Sequence, residues 1–221
     1  MNRVIDLLVP YGVFLRHIEG STFPHQWARV VFQLLPFTFF VLWVFSFIPL
    51  LGSLVYMLVL VPLSVRRHIE LNGIEGREKR AHLYLWYYTV ILIGFAGMWS
   101  FFGHFFLSDM VAERIGWATG SPFQIELAFY TLGSAVAGIM AIWLRGHMIT
   151  ALVVSKAIFW YGAAYVHIMD AIFHANFAPY NVGAVLIGDI VYPTVLLFLL
   201  IKAWPVLNTQ TATTNQQPSK S

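Results

Sequence analysis

The chain contains no cysteine and few charged residues, and each shortage excludes a class of protein. Without cysteine there is no disulfide, no thiolate nucleophile and no Cys-ligated metal or iron–sulfur site. Only 10% of the 221 residues are charged, whereas 59% are hydrophobic, and soluble domains are about 25% charged. The net charge of +3 does not indicate nucleic-acid binding, because the basic residues gather in one stretch. The composition predicts a polytopic helical protein whose surroundings are the lipid bilayer.

Apolar runs and the turn residues between them predict an all-α transmembrane helix bundle of about six spans, with five as the alternative. Residues 1–28 are predicted to form an amphipathic N-terminal segment. Residues 29–66 are uncharged apart from their two ends, and turn residues near their middle favour an apolar helical hairpin over one long kinked helix. A four-helix membrane core is predicted at 82–203, and the polar tail at 208–221 is predicted to be disordered.

The distribution of basic residues predicts which side of the membrane each loop faces. The stretch 66–82 is the richest in Lys and Arg, and such loops remain in the cytoplasm. Alternating spans then place the C-terminus in the cytoplasm as well, and they place His104, Glu126 and His167 together at the extracytoplasmic level. We therefore predict a multi-pass protein of the cell membrane.

His167, Asp170 and His174 form the most informative pattern in the chain. Their spacing of i, i+3 and i+7 puts all three on one face of a helix, among apolar residues. Imidazole and carboxylate groups are costly inside a membrane, so the pattern predicts a functional site. Both groups are ligands of zinc and iron, which favours a divalent metal. Two alternatives stay open: the residues satisfy one another at a wet helix interface, or they relay protons.

Three further residues are candidates for the same site. His104 lies near the end of its predicted span. Glu126 lies about one turn inside a helix that is predicted to start with a capping box at Ser121 and Gln124, where the helix dipole favours a negative charge. We predict that His104 and Glu126 are metal ligands, or that Glu126 is a catalytic general base. Asp189 lies within the last span and is predicted to be catalytic or to lie on an ion path.

Two further interpretations concern haem as a cofactor and the role of Lys156. Haem is the less favoured cofactor but stays open: bis-His ligation needs two histidines at one depth on facing helices, and His104 and His167 meet that condition. Lys156 lies inside its predicted helix, nearer the cytoplasmic end, and is predicted to extend its ammonium group toward the membrane surface.

Three motifs carry a resemblance to a known family: FGH at 102–104, GWATGSPFQ at 116–124 and GAAYVH at 162–167. With these motifs the chain resembles an uncharacterised family of small prokaryotic four-helix integral membrane proteins. In outline it is also similar to DoxX-type four-helix proteins. The resemblance covers roughly residues 82–203 and implies a four-helix core with an N-terminal extension. It implies no reaction.

These observations predict an integral membrane protein with a His/carboxylate site in the extracytoplasmic leaflet. The site is predicted to bind zinc or iron, and as an enzyme it would use the metal to activate water or oxygen on a lipid-like substrate. Whether the protein is an enzyme stays open. One alternative is a proton- or cation-coupled transporter with a small-ion ligand. The other is an accessory subunit of a homo-oligomer or membrane complex, with no chemistry of its own.

Overall fold

The computed structural model describes residues 56–214, and all regular secondary structure within that range is helical. The predicted all-α membrane bundle is thereby confirmed. Two segments are π-helical, Tyr56–Leu60 and Thr89–Phe95. The α-helices are α1 (Val61–Asn72), α2 (Arg77–Tyr88), α3 (Ala96–Phe106), α4 (Ser108–Ile115), α5 (Phe123–Met140), α6 (His147–His174), α7 (Pro179–Val182) and α8 (Ala184–Thr214).

Four helical stretches in this part of the chain are long and apolar enough to cross a membrane. We number them as spans in chain order: Arg77–Phe106, Phe123–Met140, His147–His174 and Pro179–Thr209. The first and second spans run in opposite directions, since Trp86 contacts Ala141 near one end and His104 contacts Gln124 near the other. We call the end with Arg77 the lower end and the end with His174 the upper end.

The predicted flanking segments are only partly covered by the structure. The predicted amphipathic segment 1–28 and most of the predicted hairpin 29–66 lie outside the described residues. Helix α1 continues beyond the predicted hairpin to Asn72. At the other end, residues 208–214 continue helix α8, although the sequence predicted disorder from residue 208. No glycine or proline follows Pro205 within these residues to end the helix.

The first span changes its packing partner at the π-helical segment Thr89–Phe95. Below this segment, helix α2 packs against the fourth span, whereas above it helix α3 packs against the second span. The third span packs mainly against the fourth and has little contact with the second. In the upper half, therefore, the spans form two pairs, the first with the second and the third with the fourth.

The lower half of the bundle is a packed apolar core. Leu85, Ile93, Ile149 and Leu196 are fully buried there and come from the first, third and fourth spans. The indole Nε1–H of Trp86 donates a hydrogen bond of 2.7 Å to the Ala141 carbonyl. This core separates the polar residues of the upper half from the lower end of the bundle.

Gly94 and Gly138 bring the first and second spans into backbone contact. A Cβ atom on Gly138 would lie 2.5 Å from the nitrogen and 2.7 Å from the Cα of Gly94. We therefore expect Gly138→Ala to push the spans apart and to lower the free energy of unfolding by about 1–3 kcal/mol, the usual cost of overpacking. Gly133→Ala on the same helix is the matched control, since nothing lies within 4 Å of its Cβ position. Equal melting temperatures of the two variants in one detergent would contradict the close approach.

Candidate functional site

The two helix pairs enclose a cavity of about 630 Å³ in the upper half of the bundle. Its walls are mainly apolar, and part of them comes from the π-helical segment Thr89–Phe95. Segments of π-helix occur frequently at functional sites, and the volume lies in the range of about 300–1,000 Å³ that is typical of small-molecule pockets. Among the lining residues are two histidines, one lysine and one aspartate: His104, His167, Lys156 and Asp189.

Asn181 fixes both the orientation and the tautomer of His167. The Asn181 side chain is fully buried, and its amide nitrogen donates to the carbonyl oxygens of His167 (3.2 Å) and Asn176 (2.7 Å). Its amide oxygen is therefore the acceptor of the 2.7 Å hydrogen bond with Nδ1 of His167. With the proton on Nδ1, the other ring nitrogen, Nε2, faces the Oδ2 atom of Asp189 at 3.8 Å.

The His167 and Asp189 side chains lie at ion-pair distance, which is longer than a hydrogen bond. A neutral imidazole protonated on Nδ1 presents a lone pair at Nε2, and an ionised carboxylate presents lone pairs as well. One added proton, on Nε2 or on Oδ2, makes the contact attractive. Both side chains are buried, at 5% and 8% exposure, so water has little access to the pair.

Lys156 is buried at 3% exposure and does not reach the membrane surface, so the predicted extension of its ammonium group is wrong. Its Nζ atom lies 4.7–5.3 Å from the ring centres of three aromatic residues, and it donates a 3.2 Å hydrogen bond to Ser134. The ammonium group is held by cation–π contacts within the bundle. The three rings belong to Tyr130, Phe159 and Trp160.

His104 and Gln124 join the first and second spans at the upper end. Nδ1 of His104 lies 2.7 Å from Oε1 of Gln124, a residue that is 2% exposed. Because the Gln124 side chain is used in this contact, the predicted capping box at Ser121 does not form. Ser121 Oγ instead accepts a 3.3 Å hydrogen bond from the backbone N–H of Phe123.

A polar network closes the cavity at the upper end. Trp117 stacks on the His167 ring, with ring centres 5.7 Å apart and an angle of 16° between the planes, and its Nε1–H donates to Asp170 at 2.9 Å. Asn176 donates to the same carboxylate at 2.6 Å and to the Ile115 carbonyl at 2.8 Å. His174 Nδ1 lies 2.9 Å from the other carboxylate oxygen of Asp170. Asp170 thus ties helix α6 to the loop after helix α4.

The residues predicted to ligate a metal are distributed over separate contacts. His167 pairs with Asn181 and Asp189, Asp170 pairs with His174, and Glu126 is exposed on helix α5. Within residues 56–214, no group of three or more His, Asp or Glu side chains is arranged to hold a metal ion. The zinc or iron site stays a prediction, which elemental analysis of wild-type protein beside His167→Ala tests.

Two of the residues that shape the site gave weak signals in the sequence. Asn181 lies between predicted spans, where a polar residue is ordinarily a loop residue, and Trp117 is one of 8 tryptophans in an aromatic-rich chain. Lys156 gave a stronger signal, a lone cation within an apolar helix. Its burial depended on aromatic residues from two helices, which the sequence does not place side by side.

Residues 38–206 match DUF6790, which is described as a family of unknown function. No curated protein and no solved structure matches the chain. The match agrees with the predicted uncharacterised family and does not bear on the likeness to DoxX-type proteins, which stays a prediction.

Proposed function

The chain belongs to the DUF6790 family, and we propose that it binds a lipid-like molecule in the intramembrane cavity and transfers a proton to or from it at the His167–Asp189 pair. The observation that carries this proposal is the placement of two histidines, a lysine and an aspartate on the wall of a mainly apolar cavity between membrane spans. A large apolar pocket with a few convergent polar groups is the usual form of a small-molecule site.

The contacts of the pair support its part in proton transfer. Asn181 holds the imidazole in one tautomer, which leaves Nε2 as the atom that exchanges a proton. Asp189 lies 3.8 Å from that atom and can act as the second proton carrier. A positioned His with a carboxylate neighbour is a common general acid–base arrangement. In the low-dielectric cavity, His167 and Asp189 transfer their shared proton to a bound molecule with little competition from water.

The metal hypothesis receives less support from this geometry than proton transfer does. Both carboxylate oxygens of Asp170 already accept hydrogen bonds, from Trp117, Asn176 and His174. Glu126 does not line the cavity. We propose that the site lies on the extracytoplasmic side, because the basic stretch 66–82, which is typical of a cytoplasmic loop, lies at the opposite end of the bundle.

A transmembrane proton or cation path is the second candidate, and the His167–Asp189 pair is the observation that favours it. Against it stands the apolar core of the lower half, which includes Ile93, Val153 and Leu196, all fully buried. Proteoliposomes with a pH gradient separate the candidates. Under our proposal they leak no faster than empty liposomes, whereas a path gives a flux that Asp189→Asn abolishes.

Photo-crosslinking tests ligand binding directly. The protein is placed in lipid nanodiscs with a hexadecanol probe that carries a diazirine on its chain, and the modified peptides are mapped by mass spectrometry. We expect labels on cavity-lining residues such as Leu92, Thr131 and Ala163. Excess unlabelled hexadecanol should remove these labels.

The matched control is a variant that fills the cavity. Ala163→Trp adds a large ring to the cavity wall and should reduce labelling of Leu92 and Thr131 on the opposite helix pair. Labels on lipid-exposed residues outside the cavity, such as Phe198 at 57% exposure, should be unchanged. Labelling of wild type that is confined to such lipid-exposed residues would overturn the proposed function.

A further inference from the structure

We infer that the ligand of this cavity is an anionic amphiphile that enters sideways from the bilayer, between helices α5 and α6, and places its anionic head at Lys156. This inference rests on the proposed function and adds the charge class of the ligand and its route. Two independent observations carry it, the unused hydrogen-bonding capacity of Lys156 and the exposed residues at one side of the cavity.

Lys156 has hydrogen-bonding capacity that its surroundings do not use. An ammonium group has three N–H donors, and Nζ donates to Ser134 while its other contacts are aromatic ring faces. Among the residues that the structure describes, no carboxylate lies within ion-pair distance of Nζ. Asp189 is close enough to interact electrostatically, but the basic atom nearest to it is Nε2 of His167.

The charges of the cavity favour an anionic ligand when the His167–Asp189 pair holds an added proton; without that proton, the ionised Asp189 carboxylate balances the Lys156 ammonium. When His167 and Asp189 share one added proton, the two side chains together are neutral. The Lys156 ammonium then leaves one positive charge in an apolar surrounding, which is costly unless an anion pairs with it. A carboxylate or another anionic head at Nζ supplies both the missing charge and the missing hydrogen-bond acceptors.

The side of the cavity between helices α5 and α6 is exposed where the contacts Lys156–Ser134 and Tyr130–Phe159 do not bridge the two helices. The second and third spans have little mutual contact, and several lining residues along this gap are exposed on the outer surface of the bundle. Phe123 is 47% exposed, Ile158 71% and Val166 46%. Gly162 also lines the cavity, is exposed, and has nothing within 4 Å of a Cβ position. Apolar residues exposed on a span face acyl chains, so a molecule dissolved in the bilayer reaches the cavity without crossing water.

The first test compares two probes with the same chain, hexadecanoate and hexadecanol, in nanodiscs. We expect wild type to bind hexadecanoate about tenfold more tightly, because a charge-assisted hydrogen bond in a low-dielectric site is worth at least one power of ten in affinity. Lys156→Met should bring the two affinities within about twofold of each other. Lys202→Met is the matched control, since Lys202 is exposed on the fourth span beside Phe198, and it should leave the ratio unchanged.

The second test blocks the opening. Gly162→Phe should slow hexadecanoate association about tenfold, as a steric barrier of modest height would. Gly133→Phe is the control, because Gly133 is also an exposed glycine with nothing within 4 Å of its Cβ position, and it does not line the cavity. Equal association rates in the two variants would overturn the route.

The outcomes separate this inference from the proposed function. Equal affinities of wild type for the acid and the alcohol, with cavity residues still labelled, would overturn the anionic class and leave ligand binding intact. A preference for the acid that persists in Lys156→Met would overturn the role of Lys156. If neither probe labels the cavity, the proposed function itself is wrong.

Discussion

Replacement of Asn181 by leucine should destabilise the protein more than any other single change that we consider. The substitution removes the acceptor for His167 Nδ1–H and the donor for two carbonyl groups, that of His167, which is buried, and that of Asn176, which is partly buried. A buried polar group that loses its partner costs about 1–3 kcal/mol, so we expect a loss of about 3–6 kcal/mol in the free energy of unfolding. Thermal unfolding in detergent, compared with wild type, measures this loss.

Two further variants show whether the loss comes from these contacts. Thr194→Val removes an exposed hydrogen bond with Tyr161 and should change stability by no more than about 0.5 kcal/mol. Asn181→Asp keeps an acceptor for His167 but no donor, so nitrogen NMR should still find the proton on Nδ1 while stability falls. If Asn181→Leu has the same melting temperature as wild type, or if its His167 keeps the same tautomer, the assigned contacts are contradicted.

Loss of the Trp117 ring should both destabilise the upper end and expose His167. Trp117→Ala removes the stacking on His167, the edge contact with Phe123 and the hydrogen bond to Asp170. Trp→Ala in a core costs about 3–5 kcal/mol, and Trp117 is half-buried, so we expect about 2–3 kcal/mol. Modification of His167 by diethylpyrocarbonate, mapped by mass spectrometry, should rise from near zero in wild type to a level close to that of exposed His174.

Trp117→Phe separates the ring from its hydrogen bond. Phenylalanine keeps a stacking surface over His167 but cannot donate to Asp170, so the loss should be about 1 kcal/mol and His167 should stay protected. If His167 is as well protected in Trp117→Ala as in wild type, Trp117 is not what covers it.

The bundle could be predicted from the sequence because each span is specified by its own residues. An uncharged run of about 20 residues is helical in a bilayer whatever its neighbours are, since no other structure satisfies its backbone. Thus the sequence predicted a helical membrane bundle, and the four long apolar helices of the described residues agree with it.

The site could be predicted only in part because it depends on pairs of residues from different helices. His167 and Asp189 stood out as costly groups in apolar helices, and both line the cavity. The helical spacing placed Asp170 and His174 on the same face as His167, but it could not show that Trp117 and Asn176 occupy the Asp170 carboxylate. Likewise, nothing near Lys156 in the sequence indicates that Tyr130 covers it from another helix.

The number of residues in the π-helical segment Thr89–Phe95, rather than the chemistry of their side chains, determines how the helices around the cavity are oriented. The wider turns of this segment set the rotation of helix α3 about the span axis relative to helix α2. Helix α2 packs against the fourth span and helix α3 against the second. Each residue advances an α-helix by about 100°. One deleted residue in this segment would therefore rotate His104 away from Gln124, although every polar residue of the site would still be present. Two chains with identical polar residues would then differ in which side chains of helix α3 face the cavity.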